Sequence, residues 1–339
     1  MRVLFVKKPG FESKFALEEW DMPIPKETEV LVKCFGLNRM DIAQRNGTYP
    51  VPLPEKSLIG VEVSGIIQSA GKNFTLFKPG DAVFGLLPSG GGYAEYAVME
   101  ECLTMHKPER LTFEEAASIP ETWFVAYQAL HLVGEMRKGE SVLIHAGASG
   151  VGVAAIQLAK EAEAQVLIYK HWTDLLISSL LSPEEASFIG ATRGLNYKAH
   201  QWKNEIKELT KDKGVDIIID FIGRDYWKSN IDSLAIDGRM VILAYLSGPD
   251  IENTHISDFV IKRISIRGSN LRDRSLSYQS ELRNQVYNNV VLKHFAKKDG
   301  NLKPIVDKVF KWEDIADAHQ YLESNQSIGK IVVRMTNNQ

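Results

Sequence analysis

Between the apolar run Val142–Ile144 and a helical stretch beginning near Val151 lies His145-Ala-Gly147-Ala-Ser149-Gly150-Val151-Gly152. Glycines at 147, 150 and 152 let backbone approach a bulky anion with no Cβ in the way. The first amides of the following helix then turn their N–H groups, and the positive end of the helix dipole, toward it. The chemistry such a turn performs is the grip on a pyrophosphate. The Gly-x-x-Gly-x-Gly spacing differs from the standard G-x-G-x-x-G, so the strand before and the helix after carry the assignment. The competing reading is a plain glycine-rich turn in an α/β domain. An NAD-preferring site places Asp or Glu about 20 residues further on, to hold the ribose 2′-OH. Here the next apolar run ends Tyr169-Lys170-His171, without a carboxylate. Lys170 suits the 2′-phosphate of NADP, which favours NADPH over NADH; alternatively it is a solvated strand end.

Metal chemistry needs other residues. Structural zinc takes four Cys or Cys/His ligands, and catalytic zinc about three protein ligands plus water. The chain has two cysteines, Cys34 and Cys102, and eight histidines (106, 131, 145, 171, 200, 255, 294 and 319) with no H-x-x-x-H or H-x-H spacing. No metal site is expected. Two cysteines are also too few for a disulfide framework and point to a reducing, cytoplasmic setting. A net charge of -3, with only brief basic runs such as Lys262-Arg263 and Arg272-Asp273-Arg274, offers no surface for nucleic acid. Val3–Val6 precedes its lysines rather than following them, so it reads as a first strand and not a signal peptide. No stretch approaches the ~20 apolar residues of a membrane span.

The elements that must hold these residues fall into three sections of different texture. A length of 339 residues, 44% hydrophobic and 24% charged, is a globular balance with room for two domains. Residues 1–121 carry short apolar runs broken by Gly and Pro, namely Val3–Val6, Val30–Cys34, Val61–Ile67, Asp81–Phe84 and Tyr93–Val98, the pattern of a mostly β unit. Pro50, Pro52 and Pro54 mark an extended loop. Over 122–268, continuous apolar runs at Val142–His145, Val166–Tyr169, Val215–Ile219, Met240–Ala244 and Ile264–Ile266 suit strands covered on both faces. Helical periods lie between them, clearest in Val151, Ala154, Ala155, Leu158, Ala159 and Ala162. This is the layout of an α/β, doubly wound parallel sheet. Residues 269–339 hold a long polar helix pattern, a short helix over Trp312–Ser324 and a last strand Lys330–Arg334, expected to pack back on the first section.

Segments spread from end to end carry a family resemblance: Arg2–Pro9, Leu37–Gly47, Ile59–Gly65, Gly90–Val98, Ala117–Glu121, Leu130–Gly134, Val142–Gly152, Leu195–Lys198, Leu234–Gly238 and Ile328–Val332. In this order they resemble the zinc-independent quinone oxidoreductases of the medium-chain dehydrogenase/reductase superfamily, and look closest to the tumour-suppressor-inducible quinone oxidoreductase branch. The resemblance implies a GroES-like, mostly β catalytic domain made by both chain ends and a Rossmann domain between. It also implies NADPH-dependent quinone reduction in the cleft, and a homodimer. Zinc-dependent relatives have Cys where Asn38 stands and His where Val61 stands. Residue by residue, the resemblance places Asn38, Asp41 and Tyr49 beside the nicotinamide, and Ser149 to Gly152 at the phosphates. It places Tyr197 at the adenosine phosphate end, and Asp220 to Gly223 in the loop after the fourth strand. Tyr245, Leu246, Leu271 and Arg272 fall in loops around the nicotinamide, and Gly329 and Lys330 form a C-terminal cofactor contact. The chain departs from its relatives in a longer stretch between Ala162 and Gly190, which includes Trp172, Leu175, Leu176, Ser179 and Leu180. That stretch displaces the usual 2′-phosphate cradle, with Ser182-Pro183-Glu184-Glu185 as its remnant. Val125 replaces a threonine, and Gly223-Arg224 replaces a Gly-Gly pair.

A quinone is a strong hydride acceptor that needs no zinc to polarise it, which agrees with the cysteine count. Tyr49 or Asn38 could donate to the developing oxyanion; Tyr49 could equally be an aromatic packed on the proline run. Asp41 is read as a helix cap before a proton-transfer group. A close variant of this function is an enone or alkenal reductase. A different class is a cofactor-binding protein without turnover.

Overall fold

The computed structural model describes residues 1–6, 10, 15–24, 29–32, 35–49, 58–72, 74–170, 193–196, 202–252 and 254–335. Cys34, Pro50, Pro52, Pro54, Tyr197 and the longer stretch after Lys170, with Ser182 to Glu185, lie outside them, as does the side chain of Lys170. The chain divides into two compact units, one of residues Met1–Phe124 with Arg272–Gln339, the other Val125–Leu271.

Numbered along the chain, the first part gives β1 (Arg2–Val6), β2 (Phe15–Glu19), β3 (Glu29–Val32), β4 (Phe35–Gly36), β5 (Glu62–Ile66), β6 (Ala82–Leu86), β7 (Ala97–Glu100) and β8 (Thr104–His106). The middle gives β9 (Ser141–Ile144), β10 (Gln165–Lys170), β11 (Arg193–Asn196), β12 (Val215–Asp220), β13 (Leu234–Ile242) and β14 (Ser265–Gly268). β15 (Val306–Lys311) and β16 (Lys330–Arg334) follow.

The unit Val125–Leu271 is built on a six-stranded sheet in the order β11-β10-β9-β12-β13-β14, parallel throughout. Counted from β9 this is the 3-2-1-4-5-6 order of the doubly wound dinucleotide fold, with the reversal of winding between β9 and β12. Val142, Leu143, Ile144, Ile217, Ile218 and Ile219 are fully buried, which is why their runs read as continuously apolar rather than alternating. The helix Gly150–Glu161 buries Val153, Ala154, Ala155, Ile156, Leu158 and Ala159, small enough for close packing of helix on sheet. β13 begins well before the expected Met240. Its register with β12 shifts between Val215 and Ile217, and Asp237 at φ 61 accommodates the irregularity.

The other unit carries a second six-stranded sheet, β15-β16-β4-β5-β6-β8, antiparallel except for the pair β15–β16, and two ribbons, β1–β2 and β3–β7. β16 pairs with β4, so the two ends of the chain share one sheet. They also share one core, in which Leu4, Phe35, Ile59 and Tyr93 pack with Trp312, Ile331 and Val333. The run Tyr93–Val98 is not one strand. Tyr93 and Ala94 bridge to the edge of β1 and only Ala97–Glu100 forms β7. β2, β8 and β15 went unread because they lack an apolar alternation; β15, Val306–Lys311, is largely exposed and lysine-bearing, as edge strands often are.

Candidate functional site

In the parallel-sheet unit, each expected cofactor residue sits at or just past the carboxyl end of a strand. Gly147 to Gly152 follow β9, Lys170 closes β10, Tyr197 follows β11 in sequence, Gly223 follows β12, Tyr245 and Leu246 follow β13, and Leu271 follows β14. Ligands of open α/β sheets bind along this edge, at the reversal of winding.

The turn after β9 has the geometry of an anion cradle, with one refinement. Ser149 is the N-cap, its hydroxyl accepting the Gly152 N–H at 3.0 Å. The amides of Gly150 and Val151 have no partner among the described residues and are the donors this turn would offer an anion. Ala146 is held at φ 49. A Cβ on Gly152 would fall against the Ala146 carbonyl oxygen and, at 2.8 Å, the Gly147 Cα, so only glycine closes this turn. These residues fit a pyrophosphate. Gly223, at φ 83, packs its loop against Tyr245, and its N–H reaches the Asp220 carboxylate at 3.2 Å. Burial pushes the Asp220 carboxyl up, with His145 opposing. Behind the turn, His145 Nε2 donates to Asn230 Oδ1 at 2.8 Å, a fully buried pair that the sequence reading did not assign. Tyr245 and Leu246 are exposed, whereas Leu271 is buried.

The unit formed by both chain ends gathers Asn38, Asp41 and Lys330 with residues that sequence reasoning passed over. Lys330 is 4% exposed. Its ammonium donates to the Leu37 carbonyl, to Asn38 Oδ1 at 2.5 Å and to Glu62 Oε1 at 2.6 Å. All three of its N–H bonds are thus engaged, so this side chain is held within its own cluster. Asn38 also donates from Nδ2 to Glu62 Oε1 at 2.8 Å, leaving one amide hydrogen. Glu62 is fully buried, and its second oxygen accepts the Glu121 N–H at 2.9 Å. Gly36 makes room for this carboxylate, since a Cβ there would lie 2.7 Å from Glu62 Oε1.

Asp41 is fully buried in the helix Arg39–Arg45 and accepts the Asn38 N–H at 2.7 Å, the carboxylate half of a capping box. Burial raises its carboxyl to about 7, with Glu62 adding to the shift and Lys330 opposing it. Behind it runs a chain of oriented bonds. Arg45 can only donate, so His319 Nδ1 accepts from it at 3.3 Å. His319 Nε2 then carries the hydrogen and donates to Tyr93 Oη at 2.8 Å, and the Tyr93 hydroxyl turns to Asp41 Oδ2 at 3.4 Å. Burial and the positive charge of Arg45 hold His319 down to about 3, which agrees with this neutral tautomer.

Tyr49 is half-buried, and the Arg272 guanidinium lies 5.3 Å over its ring. Burial raises the Tyr49 phenol, with Arg272 opposing. Arg272 also donates to the Pro88 carbonyl at 2.9 Å. With the Gln44 carboxamide turned so that its oxygen faces the guanidinium, Gln44 accepts from Nη1 and, at 3.2 Å, from Nη2. Arg272 therefore fixes Tyr49 and Gln44 within its own unit. Among the described residues no three His, Cys, Asp or Glu side chains are grouped to hold a metal ion, and no helix is long and apolar enough to cross a membrane.

Two family models match: residues 24–109 fit the alcohol dehydrogenase GroES-like domain and residues 150–286 the zinc-binding dehydrogenase domain. A quinone oxidoreductase of Lama guanicoe is 30% identical, over 98% of this chain and 97% of its own. The chain belongs to the medium-chain dehydrogenase/reductase superfamily. Among solved structures of this superfamily, an NAD-dependent alcohol dehydrogenase superposes with a TM-score of 0.84 at 29% identity, covering 99% of this chain and 100% of that one. The CurK enoyl reductase gives 0.80 at 25% identity, with 99% of each chain covered. As a superfamily member the chain is an oxidoreductase that works with a nicotinamide cofactor. The GroES-like and dinucleotide-binding folds expected from the sequence are both present.

Proposed function

We propose that the chain is an NADPH-dependent quinone reductase that works without metal. The observation that carries the reading is the turn closed by Gly152, at the carboxyl edge of a parallel sheet, whose Gly150 and Val151 amides have no partner among the described residues. The quinone oxidoreductase relatives support the quinone as substrate, and Asn38 and Val61, at the zinc-ligand positions of other superfamily members, support a reaction without zinc. Gly147, Ser149, Gly150, Val151 and Gly152 hold the pyrophosphate, Lys170 and Tyr197 the adenosine phosphate end, and Gly223, Tyr245, Leu246, Leu271 and Gly329 the remainder. Lys330 and Arg272 act by positioning.

When bound, a reduced nicotinamide supplies the hydride. The protein positions the acceptor and excludes water. Asn38 offers its remaining amide hydrogen, and Tyr49 its hydroxyl, to the oxygen on which negative charge develops. We assign the protein to the cytoplasm and to a homodimer, for which the exposed Ile256, Val260 and Ile261, just before the open edge strand β14, provide an apolar surface.

Similarity to an enoyl reductase keeps a second reading, reduction of an enone or alkenal C=C. Oxidation of NADPH and NADH, followed in parallel with 9,10-phenanthrenequinone and with an alkenal, separates the two. Faster NADPH oxidation with the quinone is expected, and Lys170→Ala should narrow the preference over NADH. No turnover with any quinone refutes the proposal; turnover with the alkenal alone establishes the second reading. Cofactor fluorescence changes with no oxidation of any acceptor would identify a binding protein without turnover.

A further inference from the structure

Reducing a quinone or an enone with a hydride leaves an oxyanion, and completing the product takes one proton that the nicotinamide does not supply. We propose that Glu121 is the general acid that delivers it. The inference rests on the reductase reading above and names a residue for the proton step.

Glu121 lies in the first turn of the helix Pro120–Tyr127. Its backbone is pinned by the bond from its N–H to Glu62 Oε2 at 2.9 Å, which places it in the cluster that holds Asn38. Its carboxyl, by contrast, has no hydrogen-bond partner among the described residues, and the residue is half-buried, where Asp41 is closed in completely. Ordinarily a carboxyl beside cations ionises and pairs with them. Here both nearby cations are already committed, Lys330 to Leu37, Asn38 and Glu62, and Arg272 to Pro88, Gln44 and the face of Tyr49. Glu121 faces the charge of Glu62 on β5 and Asp41 on the helix Arg39–Arg45, set against Lys330 on β16 and Arg272, and it bears on Tyr49 as well. Burial, then the Glu62 and Asp41 charges, raise its carboxyl to about 7, with Lys330 and Arg272 opposing. That value suits a general acid at neutral pH.

The step balances. The O–H bond of the Glu121 carboxyl breaks as its proton moves to the oxyanion of the reduced substrate, forming the hydroxyl of the product. The carboxylate then regains a proton from water. The electrons all come with the hydride, so no further reductant is needed.

The test is the pH dependence of kcat with saturating NADPH and 9,10-phenanthrenequinone for the full chain, Glu121→Gln and Glu121→Asp. The unaltered protein should lose activity above about pH 7, by about tenfold per unit, as the acid ionises. Glu121→Gln should abolish that limb and lower kcat by roughly 10²–10⁴, while NADPH affinity, measured by binding, stays unchanged. Glu121→Asp should keep a limb, displaced along the pH axis, which a merely structural role would not produce. An active unaltered protein whose Glu121→Gln variant keeps the limb and the rate overturns the assignment. If Glu121→Gln does not fold, the aspartate variant decides: a displaced limb supports the proposal and an unmoved one overturns it. Absence of all reductase activity in the unaltered protein is the separate failure of the reading on which this rests.

Discussion

Replacing Lys330 by methionine tests whether the buried ion pair holds the unit formed by the two chain ends. The ammonium is 5% exposed at its side chain, and its partner Glu62 is not exposed at all, so solvent screens neither. Removing the cation leaves the Glu62 carboxylate in a dry interior, and orphans Asn38 Oδ1 and the Leu37 carbonyl. Breaking a buried pair from one side costs about 3–5 kcal/mol. For a unit of this size that is a fall of roughly 6–20 °C in the melting of the affected unit. The loss should depend on pH. Asp41 and Glu121 both have carboxyls raised to about 7 with Lys330 opposing, so its removal drives both higher. A carboxyl raised in the folded state contributes stability below its unfolded value, and that contribution is lost as pH rises through the folded value. The deficit of Lys330→Met should therefore be larger at pH 8 than at pH 5, as read by calorimetry. Adding Glu62→Gln removes the stranded charge and should restore most of the loss. A single variant that loses less than about 1 kcal/mol, or a double variant as unstable as the sum of the two singles, refutes the picture of one coupled pair.

Asp41→Asn keeps an oxygen for the Asn38 N–H and cannot ionise. Since the Asp41 carboxyl is raised from 3.8 to about 7, the stability of the variant relative to the unaltered protein should improve by roughly 1–4 kcal/mol between pH 4 and pH 8. Equal pH dependence in chemical denaturation of the two would disprove it. Tyr93→Phe removes the acceptor of His319 Nε2 and should cost roughly 1–3 kcal/mol in the same measurement; no change would show that the relay is not formed. Gly152→Ala places a methyl against the Ala146 carbonyl and should weaken NADPH binding by at least about tenfold, measured by fluorescence titration. Undiminished affinity would move the pyrophosphate elsewhere.

The glycine turn proposed for the cofactor was legible because it is local. Strand, glycines and helix follow one another within residues 142–162, and apolar periodicity marks both flanks. The Ser149 cap was less visible, because a serine at a helix start reads the same whether its hydroxyl faces a ligand or, as here, its own Gly152 amide. The second cluster was not legible from spacing at all. Asn38 meets Glu62 across 24 residues, Glu62 meets Glu121 across 59, and Tyr93 meets His319 across 226. Resemblance named Asn38, Asp41 and Lys330 singly, but gave no reason for Lys330 to turn inward. That reason is Glu62, a glutamate in an apolar run, and a buried acid there was the one available sign that a cation from elsewhere had to reach it.

The two raised carboxyls of this cluster have opposite fates, and the difference lies in what closes over them. Asp41 is wholly enclosed, bound to Asn38 and backed by Tyr93 and His319, so its charge state governs how tightly the helix Arg39–Arg45 is held. Glu121 is fixed at its backbone and half-buried, and its carboxyl has no hydrogen-bond partner among the described residues. In a zinc enzyme the metal would polarise the substrate oxygen and stabilise the charge that forms on it. On the proposed reading, with an asparagine and a valine at those positions, Asn38 and Tyr49 would meet that charge and the raised Glu121 acid, beside cations already occupied, would supply the proton.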